Sequence, residues 1–181
     1  MSAAESTDLP AWAEVSGPRR GHIERVTSLL LQWARDLELE AATTAMWRDA
    51  GLWHDALRNA NEQTLRSLTS DTVRPAELLH GPAVAAKLER AGERRLELLE
   101  AIRWHTVGRH PWGQTGRALY MADFLEPGRK YARVDRAFLA EHVVHDFDGV
   151  FRQVVRQRLE WAVREGHCIY PETVELWNSV R

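Results

Sequence analysis

Apolar residues recur at helical spacing along almost the whole chain. In the first such segment, Ile23, Val26, Leu30 and Trp33 share one face, while charged residues occupy the others. The same pattern predicts helices over residues 39–53, 75–91, 93–105, 117–125 and 147–165, a terminal helix from residue 171, one short helix within 59–75 and another capped by Asp135. No segment shows the sustained period-two alternation that is typical of a strand. The sequence therefore predicts an all-α fold with seven or eight helices around one core.

Residues 1–17 differ from the rest of the chain because they contain Ser, Thr and Pro without any periodicity. We expect them to form a flexible N-terminal tail. The remaining residues, 18–181, have about the length of one domain, and we interpret them as a single helical bundle domain. Within it, residues 106–116 contain three glycines and Pro111, which indicates a surface loop.

Charge and composition narrow the classes of function. The 24 basic and 26 acidic side chains give a net charge of -2, whereas nucleic-acid-binding proteins usually have a basic excess. No apolar run approaches the ~20 residues that cross a bilayer, and residues 1–17 lack the apolar segment of a secretory signal. The single cysteine, Cys168, has no internal partner for a disulfide, which is typical of a reducing compartment. We therefore expect a cytoplasmic protein that binds neither nucleic acids nor membranes.

Histidines and aspartates near predicted helix ends are the candidates for chemistry. Six of these side chains offer the imidazole nitrogens and carboxylate oxygens that hold divalent transition metals: His22, His54, Asp55, His80, His105 and Asp123. Asp123 is the most informative, because it lies among apolar residues, where a carboxylate is costly to bury unless it is paired or bound to a cation.

Each of these residues also has a purely structural interpretation. A single histidine on a half-apolar face more often satisfies a hydrogen bond in the core than binds a ligand. A second His-Asp pair, His145-Asp146, is assigned to a solvated helix surface. The tryptophans within helical patterns, Trp161 among them, are assigned to core packing, and so is Trp104 beside His105.

The short sequence motifs around the candidate ligands resemble those of a known family. The motifs are His22-Ile23-Glu24-Arg25-Val26, Ala50-Gly51-Leu52-Trp53-His54-Asp55, His80-Gly81-Pro82, Ala101-Ile102-Arg103-Trp104-His105-Thr106-Val107-Gly108, Ala122-Asp123-Phe124-Leu125-Glu126-Pro127-Gly128-Arg129 and Ile169-Tyr170-Pro171-Glu172-Thr173. In this order they resemble the YqeK family within the HD-domain phosphohydrolase superfamily. The likeness extends over residues 19–178, nearly the whole chain.

The resemblance implies an all-helical HD fold whose metal centre hydrolyses diadenosine tetraphosphate symmetrically, to two ADP. It implies iron, as one or two ions, with manganese or another divalent metal as the alternative. The positions matching the superfamily's metal ligands are His22, His54, Asp55 and Asp123. His80 and His105 match additional histidines that hold a second metal or contact the phosphates. The other positions matched to the nucleotide are Arg19, Thr106, Arg129 and the segment Gly166, His167, Cys168, Ile169, Tyr170 and Pro171.

The chain also departs from the family pattern. Arg58 stands where the family commonly has Lys, and the forked guanidinium binds phosphate with a different geometry. Val107 replaces a second Thr after Thr106, and the insert His110-Pro111-Trp112 is bulkier than expected. These changes bear on substrate preference more than on the metal site.

A mechanism follows as a hypothesis from these assignments. Asp55 bridges two metals, or binds one, and a metal-activated water attacks the phosphoanhydride. Arg58 and Arg129 neutralise charge on the phosphates. The alternatives are a phosphohydrolase of other nucleotides, a nucleotide-binding regulatory module with a weak site, and a helical scaffold whose histidines only pack. A homodimer is left open.

Overall fold

The chain folds into helices joined by short loops in a computed structural model that describes residues 9–181. Within these residues there are nine α-helices and no strand: α1 (Gly17–Asp36), α2 (Ala41–Trp53), α3 (Glu62–Thr69), α4 (His80–Arg90), α5 (Leu96–Trp104), α6 (Gln114–Leu125), α7 (Arg133–His142), α8 (Phe147–Arg164) and α9 (Pro171–Val180). A 3-10 turn at Ala76–Leu78 precedes α4. The predicted all-α class is confirmed, with nine helices in place of the predicted seven or eight. Across the described part of the chain, no helix is long and apolar enough to span a bilayer.

Capping residues explain where several helices begin and end. The side chain of Ser16 accepts a hydrogen bond from the backbone N–H of Arg19, so α1 begins several residues before the apolar pattern. Pro171 stands at the first turn of α9, where its missing N–H costs nothing. Gly92 follows α4 with a φ of 100°, a left-handed conformation that ends the helix.

The helix predicted over residues 75–91 is interrupted, and the interruption positions His80. Pro82 has no N–H to donate to the carbonyl of Leu78, and its ring would clash with that carbonyl in a continuous helix. The chain therefore forms the separate turn Ala76–Leu78, and α4 begins at His80.

The core lies between the helices and is largely apolar. Trp33, Trp47, Ile102, Leu119 and Met121 are among its largest fully buried side chains. The indole N–H of Trp33 donates to a main-chain carbonyl in α7 over 2.9 Å, so this buried donor is satisfied.

The segment before α1 is joined to the domain over residues 9–16. The N–H of Glu14 donates to the carbonyl of Ala56 over 2.7 Å, and the N–H of Asn59 donates back to the carbonyl of Glu14 over 3.0 Å. These bonds attach the segment to the turn that follows His54 and Asp55. Residues 1–8 lie outside the described residues, and the flexibility expected of residues 1–17 stays a prediction.

Candidate metal centre

Five helices bring the six predicted metal ligands into one cluster. His22 comes from α1 and Asp123 from α6. His54 caps the end of α2, with Asp55 next to it, His80 is the first residue of α4, and His105 caps the end of α5. The four histidines and Asp55 are all at least 95% buried.

Two glycines let these helices approach closely. A Cβ at Gly51 would lie 2.8 Å from the hydroxyl oxygen of Thr27, so its absence allows α2 to pack against α1. A Cβ at Gly81 would lie 2.6 Å from the carbonyl oxygen of Ile102 and 3.1 Å from the ring of His105. Such distances are too short for any larger residue. The glycines therefore decide how near His54 comes to α1 and His80 comes to His105.

Asp55 lies at the middle of the cluster. Its Oδ1 is 3.0 Å from Nε2 of His80 and 3.5 Å from Nε2 of His105. Its Oδ2 is 3.7 Å from Nε2 of His22 and 3.6 Å from Nε2 of His54. One carboxylate thus faces all four imidazoles.

Asp123 closes the other end of the cluster. Its Oδ1 lies 3.1 Å from Nε2 of His22 and accepts a 2.7 Å hydrogen bond from Arg129. Its Oδ2 lies 3.4 Å from Nη1 of Arg158. The apolar neighbours seen in the sequence therefore surround a carboxylate that is paired, as its burial requires.

In each of the four histidines, Nδ1 faces an oxygen outside the cluster and Nε2 faces the cluster interior. Nδ1 of His54, His80 and His105 donates over 2.8 Å to the main-chain carbonyls of Gly51, Glu77 and Ile102 respectively. Nδ1 of His22 lies 3.1 Å from Oε1 of Glu126. A carbonyl oxygen only accepts, so Nδ1 carries the proton and the neutral ring presents a lone pair at Nε2. All four lone pairs face the cluster interior.

This donor set fits a divalent transition metal. Nε2 of His22 and Nε2 of His54 are buried and have no hydrogen-bond partner within residues 9–181. Nε2 of His80 and Nε2 of His105 lie 3.1 Å apart, and two lone pairs at that distance repel unless a cation or proton lies between them. Such metals prefer imidazole nitrogens and carboxylate oxygens as ligands. A metal-binding imidazole usually donates its other ring N–H to a hydrogen-bond acceptor, as these rings do through Nδ1.

Two overlapping groups of three side chains bring their ligand atoms within 4.8 Å of one another among the described residues. One comprises His22, His54 and Asp123, and the other comprises His54, Asp55 and His105. The first contains three of the four residues predicted for one ion, without Asp55. The second contains His54, whereas the prediction places His80 with His105 at the second ion. His80 itself lies beside His105.

Burial and neighbouring charges keep His54, Asp55 and Asp123 in their metal-binding protonation states. Burial lowers the pKa of His54 to about 4, so its ring is neutral at neutral pH. Burial opposes the charge of Asp55, but the imidazoles of His54, His105 and His80 outweigh it and hold the carboxyl's pKa well below its ordinary value. The pKa of Asp123 is likewise held low, against burial, by His22 and two arginines. No proton has to be removed from these three groups before a metal binds. At His22, burial disfavours the charged ring, but Asp123 and Glu126 outweigh burial and raise the pKa, so a metal competes there with a proton.

The residues assigned to the substrate lie around this cluster at different distances from it. Arg19 pairs with Oδ2 of Asp55 over 2.6 Å, and Arg129 pairs with Asp123. The hydroxyl of Thr106 lies 3.3 Å from Nε2 of His105. The charge of Arg58 is among the influences that lower the pKa of His80, after burial and His105.

The predicted nucleotide segment, residues 166–171, joins α8 to α9. The ring of His167 lies 4.7 Å from that of Trp161 at one end of it. At the other end, Thr173 donates to the carbonyl of Val107 over 2.7 Å, and Glu172 pairs with Arg74. The segment therefore runs beside the loops that precede His80 and follow His105.

Two residues at the site were not predicted from the sequence. Glu126 is 2% exposed, and its carboxylate faces His22. The same carboxylate accepts hydrogen bonds from Nε of Arg25 over 2.5 Å and from the backbone N–H of Gly128 over 2.6 Å. Arg158 lies against Asp123 and donates to the carbonyl of Thr106 over 3.0 Å. A signal existed for Arg158, because it follows Val150 and Val154 at four-residue spacing on the buried face of α8.

Replacing Glu126 by Gln is expected to weaken metal binding by about 10–100-fold, because it removes the charged acceptor that orients His22. The Gln amide also places a donor against either His22 or the two groups that now donate to Glu126. Calorimetric titration with Mn²⁺ measures the change. Glu24→Gln, on an exposed position of α1, is the matched control and should bind normally; unchanged affinity in Glu126→Gln would contradict the orienting role.

Comparison with curated proteins finds three relatives that carry the same name. Two curated proteins named symmetrical bis(5'-nucleosyl)-tetraphosphatase align with most of the chain. The protein from Halalkalibacterium halodurans is 24% identical over 139 residues, which is 72% of this chain and 73% of the relative. The protein from Bacillus subtilis is 27% identical over 138 residues, which is 71% of this chain and 73% of the relative. A third protein of that name, from Staphylococcus aureus, is 29% identical over 104 residues, or 57% of this chain and 54% of the relative. No family model matches the sequence.

A solved structure gives the fold. It is described as a predicted HD superfamily hydrolase involved in NAD metabolism, from Clostridium acetobutylicum, and superposes with a TM-score of 0.79 at 22% identity. The match covers 92% of this chain and 90% of the other. The comparisons therefore confirm the predicted resemblance: the chain has the fold of an HD superfamily hydrolase and is similar in sequence to proteins named symmetrical bis(5'-nucleosyl)-tetraphosphatase.

Proposed function

We propose that this chain is a metal-dependent hydrolase that cleaves diadenosine tetraphosphate symmetrically, to two ADP. The observation that carries the proposal is the convergence of four Nε2 lone pairs on Asp55, with Asp123 at one end. The names of the relatives support the substrate class. The pairing of buried carboxylates with arginines supports a site that handles phosphate charge.

The residues that would hold metal fall at two ends of the cluster. His22, His54 and Asp123 would hold one ion, His80 and His105 a second, and Asp55 faces both sets. If one ion binds, His80 and His105 instead contact phosphate oxygens. We propose iron as this ion, with manganese or another divalent metal as the alternative. A bound divalent ion lowers the pKa of water to about 7 and polarises phosphoryl oxygens.

The arginines around the cluster would bind and orient the tetraphosphate. Arg129 presents its guanidinium beside Asp123, and Arg19 presents its own beside Asp55. A guanidinium meets two phosphate oxygens at once, which fixes the phosphate chain and neutralises charge that develops on the leaving group. Arg58, after the His54-Asp55 pair, would act on the phosphates at the His80 end.

The segment of residues 166–171 would line the nucleoside, since it runs from Trp161 to the loops of His80 and His105. We further propose a cytoplasmic protein that binds neither nucleic acids nor membranes, and we leave a homodimer open. These statements rest on composition and on the resemblance.

The test is product analysis with purified protein. Diadenosine tetraphosphate is incubated with the protein and Fe²⁺ or Mn²⁺ under anaerobic conditions, and the nucleotides are separated by anion-exchange chromatography. We expect ADP as the sole product. Equimolar ATP and AMP would overturn symmetric cleavage. An intact dinucleotide, with hydrolysis of mononucleotides instead, would overturn the substrate.

A further inference from the structure

Arg158 brings a charged side chain to the packed face of α8. Val150 and Val154 precede it at four-residue spacing and are buried, and residues at this spacing share one face of a helix. The guanidinium of Arg158 lies 4.0 Å from the ring centre of Tyr120, which is fully buried in α6. A charged group on a packed face is costly unless it is paired, so its partners indicate its role.

Those partners lie at both ends of the metal cluster. Nη1 of Arg158 is 3.4 Å from Oδ2 of Asp123 and 3.4 Å from the carbonyl oxygen of Tyr120. Nη2 donates over 3.0 Å to the carbonyl of Thr106. Thr106 directly follows His105, whose imidazole faces Asp55 at the other end of the cluster. One side chain from α8 therefore contacts a predicted metal ligand and the loop that begins at another.

Arg129 contacts the same carboxylate in a different way. It pairs with Oδ1 of Asp123 over 2.7 Å, and Oδ1 is also the oxygen that lies 3.1 Å from Nε2 of His22. Arg158 contacts the opposite oxygen, Oδ2. The side chain of Arg129 is 39% exposed and that of Arg158 is 19% exposed. Arg129 thus competes with a cation for the oxygen beside His22, whereas Arg158 leaves that oxygen free.

The contacts of Arg158 suit it to hold a ligand in place. A guanidinium is planar and carries its donor nitrogens at fixed positions, so it can bond to two separate acceptors at once. A hydrogen bond to the oxygen of Asp123 that faces away from His22 opposes rotation of the carboxylate. Groups that hold metal ligands in this way typically contribute about 10–100-fold to metal affinity.

We propose that Arg158 is a positioning residue of the metal centre. It fixes Asp123 through Oδ2 and the loop after His105 through the carbonyl of Thr106, and it acts on the metal only through these groups. Arg129 is the arginine at Asp123 that is left to bind phosphate. The inference deepens the proposed function and rests on it, since it assumes a metal centre at this cluster.

The experiment titrates Mn²⁺ into the full chain by isothermal titration calorimetry, after chelation of any bound metal and without nucleotide. Arg158→Met should bind Mn²⁺ about 10-fold more weakly than the wild type. The direction is diagnostic, because removal of a positive charge near a cation site strengthens cation binding on electrostatic grounds alone. Unchanged or tighter binding would overturn the positioning role and would indicate that Arg158 acts on the phosphates of the substrate.

Two further variants serve as comparisons. Arg156→Met is the matched control, because Arg156 is exposed on the same helix and pairs with Glu160. It should bind Mn²⁺ like the wild type. Arg129→Met should bind Mn²⁺ at least as tightly as the wild type, since it frees Oδ1 of Asp123. Equal weakening in Arg129→Met and Arg158→Met would overturn the division of roles between the two arginines.

Circular dichroism shows whether each variant keeps the helix content of the wild type. If Arg158→Met does not fold, Arg158→Lys decides, because it keeps the charge but replaces two separate donor nitrogens by one ammonium. It should still bind Mn²⁺ more weakly than the wild type, and wild-type affinity would overturn the role. A wild type that binds Mn²⁺ but leaves the dinucleotide intact would instead overturn the proposed function, while the titrations would still test the role of Arg158.

Discussion

Asp55→Asn is expected to lower turnover of diadenosine tetraphosphate by at least ~1,000-fold while leaving the helical fold intact. The reason is geometric, because this carboxylate faces all four imidazoles of the cluster. Asn has the same shape but no charge, and its amide N–H groups repel a cation. Loss of a residue that merely orients a metal ligand already costs about 10–100-fold, so loss of the central ligand costs more.

The measurement is steady-state hydrolysis by the metal-loaded variant, with circular dichroism and thermal unfolding to check the fold. Asp49→Asn is the matched control. Asp49 is also a buried aspartate of α2, 5% exposed, but it pairs with Arg95 over 2.8 Å and not with the cluster. It should lose about 1–3 kcal/mol of stability, because the substitution removes a buried, hydrogen-bonded charge, and keep its turnover within twofold. Normal turnover by Asp55→Asn would remove Asp55 from the mechanism.

Metal binding is expected to raise the melting temperature of the wild type by about 5–10 °C and that of His54→Ala by less than 1 °C. A ligand at one hundred times its Kd stabilises the folded state by about 2.7 kcal/mol, and a domain of this length gains about 2–4 °C per kcal/mol. His54 belongs to both groups of converging ligand atoms, so its loss affects each candidate metal position.

Differential scanning calorimetry with and without Mn²⁺ measures these shifts. His54→Ala also leaves a cavity in the core, so its melting temperature without metal is lower and only the metal-induced shift is compared. His145→Ala, at an exposed histidine in a second His-Asp pair, should shift like the wild type. An equal shift in His54→Ala would show that the metal binds elsewhere.

The helical periodicity and the sequence motifs were sufficient to predict the fold class and to select residues that lie close together in the folded chain. Asp123 illustrates why, since a carboxylate among apolar neighbours requires a partner wherever it is buried. The two interactions that sequence reasoning missed, those of Glu126 and Arg158, depend on which helix packs against which. Glu126 faces His22 across more than one hundred residues of chain, and no local pattern encodes that pairing.

Trp161 marks a second limit of sequence reasoning. Its helical spacing was compatible with the core, but that assignment is wrong, because Trp161 is 48% exposed. Its indole lines an open pocket of about 660 Å³ between α6, α7 and α8, beside Asp123. Burial of a residue depends on the elements packed against its helix face, which periodicity does not specify.

By itself, the sequence determined the all-α class, because helical periodicity is a local property of the chain. It also determined which imidazoles and carboxylates are available as ligands. Only the tertiary structure decided that four Nε2 lone pairs meet at Asp55. Three of the Nδ1 atoms bond to carbonyls near helix ends, and the fourth faces the carboxylate of Glu126, which follows the distant helix α6. The close approach at Gly51 and Gly81 likewise exists only after α1, α2, α4 and α5 have packed together. The arginine-lined pocket beside Asp123 exists only after α6, α7 and α8 have done so.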